Sequence, residues 1–143
     1  MESTTQTIAV SKARRWTARI LSSLAILFLL FDSVIHLMVI APVVESFNQL
    51  GFPVSLALPL GIIEIVCLAL YVVPRTSIFG AILLTGYLGG AIATQVRIGA
   101  PLLSTALFPI YVGVLVWGGL YLRDDRLRAL IPLQKEENKR STS

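Results

Sequence analysis

The sequence predicts an all-α fold, a four-transmembrane-helix bundle with both termini cytoplasmic. Three observations predict it. The 143 residues are 55% hydrophobic and only 14% charged, with a mean hydropathy of +0.79, whereas a soluble domain carries about 25% charged residues. Four apolar stretches, about 20–41, 54–73, 77–96 and 102–122, reach the roughly 20 residues that a helix needs to cross a bilayer. The cations are asymmetric: Lys12, Arg14, Arg15, Arg19, Arg75, Arg123, Arg126, Arg128, Lys135, Lys139 and Arg140 fall on one side of the spans and only Arg97 on the other. Cations resist translocation, which places both termini and the second loop in the cytoplasm.

The chain then divides into a polar basic N-terminal tail over 1–18, the transmembrane domain over 19–133, and a disordered C-terminal tail over 134–143. The first eleven residues are polar enough to be read as disordered too. Trp16, Tyr71, Trp117 and Tyr121 fall near the cytoplasmic boundary, where amphipathic rings settle. The formal net charge of +4 does not indicate nucleic acid, because the cations sit at the edges of apolar runs and not along one face. The segment "RDDRLRALIPL" over 123–133 reads as a solvated topology anchor. The expected setting is a bacterial plasma (inner) membrane, with the protein crossing it several times.

Taken in order, the first span is too long in its apolar core for a signal peptide and contains Asp32. Pro42, Gly51 and Pro53 bracket the first loop. The second span carries Cys67, the only cysteine. A lone thiol makes neither an internal disulfide nor a dithiol redox pair. "VPRTS" over 73–77 gives a tight second turn, with Thr76 or Ser77 placed to cap the next helix. In the third span Ser77, Ala81, Thr85, Gly89 and Ala93 recur every four residues, with Gly86 and Gly90 as a GxxxG pair beside them. Small residues let helices approach closely in lipid, so Ala81, Thr85, Gly86, Gly89 and Gly90 are the expected packing face. Gly99 and Pro101 mark the third loop, and Pro59 and Pro109 should bend the second and fourth spans.

The polar residues at depth are the candidates for function. "LLFDSVIHLMVI" over 29–40 holds Asp32 and the chain's only histidine, His36, one helical turn apart. The spans centre near Leu30, Glu64, Tyr87 and Tyr111, so Asp32, Glu64, Tyr87 and Tyr111 are expected to converge on one level. Thr94, Gln95 and Arg97 lie further toward the third loop. A charge at mid-bilayer costs about 2.5–3.5 kcal/mol on insertion scales. Either the carboxyls hold protons, or one is ionised against a protonated His36. Such groups are expected to face the bundle interior, as a hydrogen-bonded cluster that sets helix pairing or as a proton-handling or ligand site. His36 has no second His or Cys near it in sequence, so no metal site is expected.

The run "GIIEIVCLALYVVPRTSIFGAILLTGYLGGAIATQVRIGAP" over 61–101, followed by "WGGLYLRDDRLRALIP" over 117–132, resembles the DoxX-like family of small four-helix membrane proteins. The resemblance covers roughly 27–132, with Glu64, Pro74, Arg75, Gly86, Gly89, Gly90 and Arg97 at matching positions. Relatives often carry a lysine where this chain has His36 and a histidine where it has Gln95. The resemblance implies a transmembrane four-helix bundle, and the wider family includes a subunit of a thiosulfate:quinone oxidoreductase. It thereby implies a redox-associated membrane subunit with a quinone-sized site between helices. No catalytic motif is present, so an enzymatic role would be that of a subunit of a membrane oxidoreductase. No flavin, haem or nucleotide motif is present; quinone is the cofactor implied. The partners expected are the lipid bilayer, a redox partner protein and a second copy of the chain as a homo-oligomer, but no nucleic acid. A proton-coupled transporter component and a non-catalytic membrane scaffold are the competing classes.

Overall fold

The computed structural model describes residues 2–131, with side chains described from Ser11 onward; the C-terminal tail expected over 134–143 lies outside the described residues. Helix α1 (Glu2–Met38) is followed by α2 (Ala41–Leu50), a 3-10 turn over Val54–Leu56, α3 (Ala57–Val72), α4 (Ser77–Arg97), a π turn over Leu102–Ala106, α5 (Phe108–Arg123) and α6 (Asp125–Leu130). There are no strands among the described residues. Among the described residues, four helical segments are long and apolar enough to cross a membrane: Ser11–Met38, Val54–Val72, Ser77–Arg97 and Leu102–Arg123. At 1.5 Å per residue α1 runs about 55 Å, so the segment expected as a disordered tail instead continues the first helix.

The four spans close into a ring. α1 lies against α3 and α5, and α4 lies against the same two from the other side. The interior is filled by Ala25 and Leu29 of α1, Leu68 and Tyr71 of α3, Ala81, Leu84 and Leu88 of α4, and Val112, Val116 and Leu120 of α5. Close approach of α4 to α3 and of α5 to α1 depends on one glycine each. A Cβ on Gly80 would fall 2.3 Å from the Tyr71 backbone nitrogen, and one on Gly119 would fall 2.4 Å from Ser22 Oγ.

These are not the glycines that the small-residue pattern selected. Gly86, Gly89 and Gly90 are exposed, and a Cβ at any of them would meet nothing within 4 Å. The buried stripe of α4 is Ser77, Gly80, Ala81, Leu84 and Leu88, so of the expected face only Ala81 is buried. Thr85 makes a lateral contact: it accepts a 2.8 Å hydrogen bond from Trp117 Nε1 on α5.

The turns also differ from expectation. The first loop contains α2, which starts with Pro42 in its first turn and ends at Gly51 with φ 69°. Only a residue at home in the left-handed region closes a helix that way cheaply. Val43 and Phe47, one turn apart, bury against Ala57. Thr76 and Ser77 do not cap α4. Thr76 Oγ1 donates to Leu70 O at 2.8 Å and Ser77 Oγ to Pro74 O at 3.2 Å, closing the end of α3. Pro59 and Pro109 lie in the first turns of α3 and α5, after the 3-10 and π turns. At those positions proline lacks only an N–H that would be orphaned anyway, and each marks the point where its span passes from an irregular turn into regular α-helix.

Candidate functional site

Asp32 and His36 share one face of α1, and the side chains are one-third and one-fifth exposed. His36 Nδ1 lies 3.4 Å from Asp32 Oδ2 and 2.8 Å from the Asp32 carbonyl oxygen. α3 crosses this face at Gly61, where a Cβ would sit 3.0 Å from His36 Cβ and 3.2 Å from the Ser33 carbonyl oxygen. Glycine therefore brings α3 close enough for the residue one turn on, Glu64, to reach the pair. Glu64 is fully buried. Ligating atoms of Asp32, His36 and Glu64 lie within 4.8 Å of one another.

The two carboxylate oxygens of Glu64 differ. Oε2 accepts a hydrogen bond from Tyr87 OH of α4 at 3.2 Å. Oε1 is buried with no hydrogen-bond partner. Ser33, also fully buried, turns its hydroxyl to Leu29 O at 2.7 Å. A buried carboxyl oxygen without a partner forfeits about 1–3 kcal/mol, more if charged. The arrangement can therefore take up a proton or a cation at Oε1.

The remaining expected members lie elsewhere. Tyr111 is half exposed and donates to Leu103 O at 3.2 Å, so it does not join the cluster. Gln95 is two turns along α4 from Tyr87, about 12 Å. Arg97 donates to Leu50 O and lies over the Phe52 ring at 5.2 Å, pinning the end of α2. No arginine or lysine therefore neutralises the acids among the described residues. Sequence reasoning missed Gly61, Ser33 and Phe47, whose ring covers the His36 imidazole edge-on at 5.9 Å. Gly61 was legible as the small residue one turn before Glu64. Phe47 was not, because α2 itself was not foreseen. Between the two, Val39 holds φ 47°, a strained value for a β-branched residue, kept in place by the apolar cluster of α2.

The opposite end of the bundle holds a concavity of about 470 Å³ lined by Arg14, Arg15, Arg19, Arg123, Arg128 and Ser22, among others. A family model described as the DoxX-like family matches residues 20–119, which takes in the whole cluster, the second and third spans entire, and the first and fourth in part. No curated protein and no solved structure matches the chain.

Proposed function

Because the chain belongs to the DoxX-like family and is a multi-pass integral membrane protein, we propose that it is a redox-associated membrane subunit whose working site is the Asp32–His36–Glu64 cluster. The observation that carries this reading is the buried Glu64 with one oxygen held by Tyr87 and the other unpartnered, beside a second acid and an imidazole at membrane depth. Titratable groups in lipid are costly unless used. Reducing a quinone to a quinol takes two electrons and two protons. Asp32, Glu64 and His36 can hold and hand over the protons, and a redox partner protein supplies the electrons. The cation asymmetry supports cytoplasmic termini, with His36 one turn further outward than Asp32.

Redox-induced infrared difference spectroscopy on the purified protein with a short-chain benzoquinone tests this reading. A carboxylic-acid band should change on quinone reduction and lose part of its amplitude in Asp32→Asn and in Glu64→Gln. Quinone reduction that leaves every carboxyl band unchanged overturns it. Proton-dependent solute uptake in vesicles without any quinone effect would favour a transporter component instead.

A further inference from the structure

We propose that Asp32, His36 and Glu64 form a binding site for one divalent first-row transition-metal cation, of the manganese, iron or zinc class. The inference rests on the reading of this cluster as the working site and names a second occupant for it. Each residue offers one ligand atom, and the three atoms lie within 4.8 Å of one another. Metal–ligand bonds of about 2.0–2.2 Å place ligand atoms roughly 3–4 Å apart, so small side-chain rotations close this group onto an ion. Asp32 and His36 at i and i+4 are two ligands from one helix face, the spacing by which a single helix grips a metal. Glu64 supplies the third from α3, a helix held close by Gly61.

The supporting contacts match what a metal site requires around its ligands. Tyr87 holds Oε2 of Glu64 at 3.2 Å, which aims a fully buried carboxylate while its Oε1 has no partner. The Asp32 carbonyl lies 2.8 Å from His36 Nδ1. A proton on Nδ1 is accepted there, leaving the Nε2 lone pair for a metal, and this is the orienting bond that ligating histidines usually make. Charge gives an independent argument. Two carboxylates with a neutral imidazole carry −2, which one divalent cation neutralises; Arg97, ten residues along α4 from Tyr87, is committed to Leu50 O. A set of one nitrogen and two carboxylate oxygens suits manganese, iron or zinc; all-oxygen sets suit magnesium or calcium, and thiolates suit copper(I). The sequence argument against a metal sought a second His or Cys as partner for His36 and did not count the carboxylates of Asp32 and Glu64 as ligands.

The test uses the full-length protein in mild detergent, stripped with a chelator and dialysed against Mn²⁺ or Zn²⁺, with bound metal measured by mass spectrometry and Mn²⁺ coordination by electron paramagnetic resonance. One equivalent per chain is expected. His36→Ala and Glu64→Gln should each weaken binding about tenfold or more. Tyr87→Phe, which leaves every ligand in place, should weaken it less. Glu45→Gln, at an exposed acid of α2, should bind like wild type. Circular dichroism confirms that each variant is folded. Substoichiometric metal in the wild type, or equal metal in a folded Glu64→Gln, overturns the inference. If metal stays out while the quinone-linked carboxylic-acid band persists, the cation inference falls and the redox reading stands. If one equivalent binds and the carboxyl bands ignore the quinone, the cation site stands and the redox reading falls.

Discussion

At the end of the bundle that carries the second loop, buried polar groups are matched to backbone carbonyls; at the other end a carboxylate is buried and left half matched. Tyr71, fully buried, donates to Val116 O at 2.9 Å, while Arg123 donates to Tyr71 O at 3.0 Å and lies over its ring at 4.7 Å. Arg126 donates to Pro74 O at 2.6 Å. The one orphan there, Ser22 Oγ, is a neutral hydroxyl packed against Gly119. Near α2 the orphan is Glu64 Oε1, beside a second acid. In hydrocarbon there is little hydrophobic force between helices, so van der Waals packing and satisfied hydrogen bonds hold the bundle. The first end has both. The second gives up part of that stability, as functional sites commonly do.

The strongest way to break the comparison is through the glycines. Gly80→Ala puts a methyl 2.3 Å from the Tyr71 backbone, which cannot move without opening α3 from α4. Overpacking of this kind costs about 1–3 kcal/mol and sometimes more, so a large drop in detergent melting temperature is expected, with Gly119→Ala close behind. Gly89→Leu and Gly90→Leu, on the outward face, should melt within about 0.5 kcal/mol of wild type. Destabilisation by the outward pair would mean that a second copy of the chain covers that face, and a measured oligomer mass would show it.

A weaker effect sharpens the contrast between the two ends. Tyr71→Phe removes a satisfied buried hydrogen bond and should cost about 0.6–1.5 kcal/mol. Glu64→Met removes a carboxylate that is only half satisfied and replaces it with an apolar chain of similar length. Its stability should fall by less than that of Tyr71→Phe, the loss of Tyr87's acceptor being offset by removal of an unpartnered carboxylate oxygen, while part of the carboxylic-acid infrared signal is lost and metal binding is weakened. Thermal melts of the two variants side by side decide it. If Glu64→Met costs more than Tyr71→Phe, Glu64 is a structural group and the working-site reading fails.

The spans and the family were legible because hydropathy sums over some twenty residues and does not depend on which way any one of them points. What the sequence could not show was azimuth. Depth along the span placed Tyr111 level with Glu64, but a helix turns 100° per residue and the inward face of α5 is Val112, Val116 and Leu120. Likewise Gly86 follows Gly80 by six residues, which is 240° around α4, so a GxxxG spacing carried no information about which glycine met Tyr71. Asp32, His36, Glu64 and Tyr87 were reachable because each is a polar group with one costly alternative, to face lipid. α2 was hidden because the ten residues Ala41–Leu50, with Pro42 near their start and Gly51 just after them, read equally well as a loop.

The smallest effect concerns how the matched end is fastened. Asp124 caps α6, its Oδ1 accepting from Arg126 N at 2.9 Å and from Leu127 N at 3.4 Å, and its Oδ2 accepting from Arg126 Nη2 at 2.8 Å. It also accepts from Ser77 Oγ at 3.4 Å, which ties α6 to the start of α4. Hydrogen bonding from the Arg126 side chain, more than any other contact, holds the Asp124 carboxyl down to about 2, against an ordinary value near 4. A group depressed on folding contributes stability that is fully present above the unfolded value and lost as pH falls through the folded one. The docking of α6 should therefore be constant from neutral pH down to about 4 and weaken between about 4 and about 2. Amide exchange at Arg126 and Leu127, referred to the intrinsic rate at each pH, should show a few-fold loss of protection across that window. Asp124→Asn keeps the capping oxygen, since asparagine caps as well as aspartate, but removes the titration, so its protection should be lower at neutral pH and flat across the window. A wild-type profile as flat as that of Asp124→Asn would mean that apolar burial of Leu127, and not the Asp124–Arg126 pair, fastens α6 to the bundle.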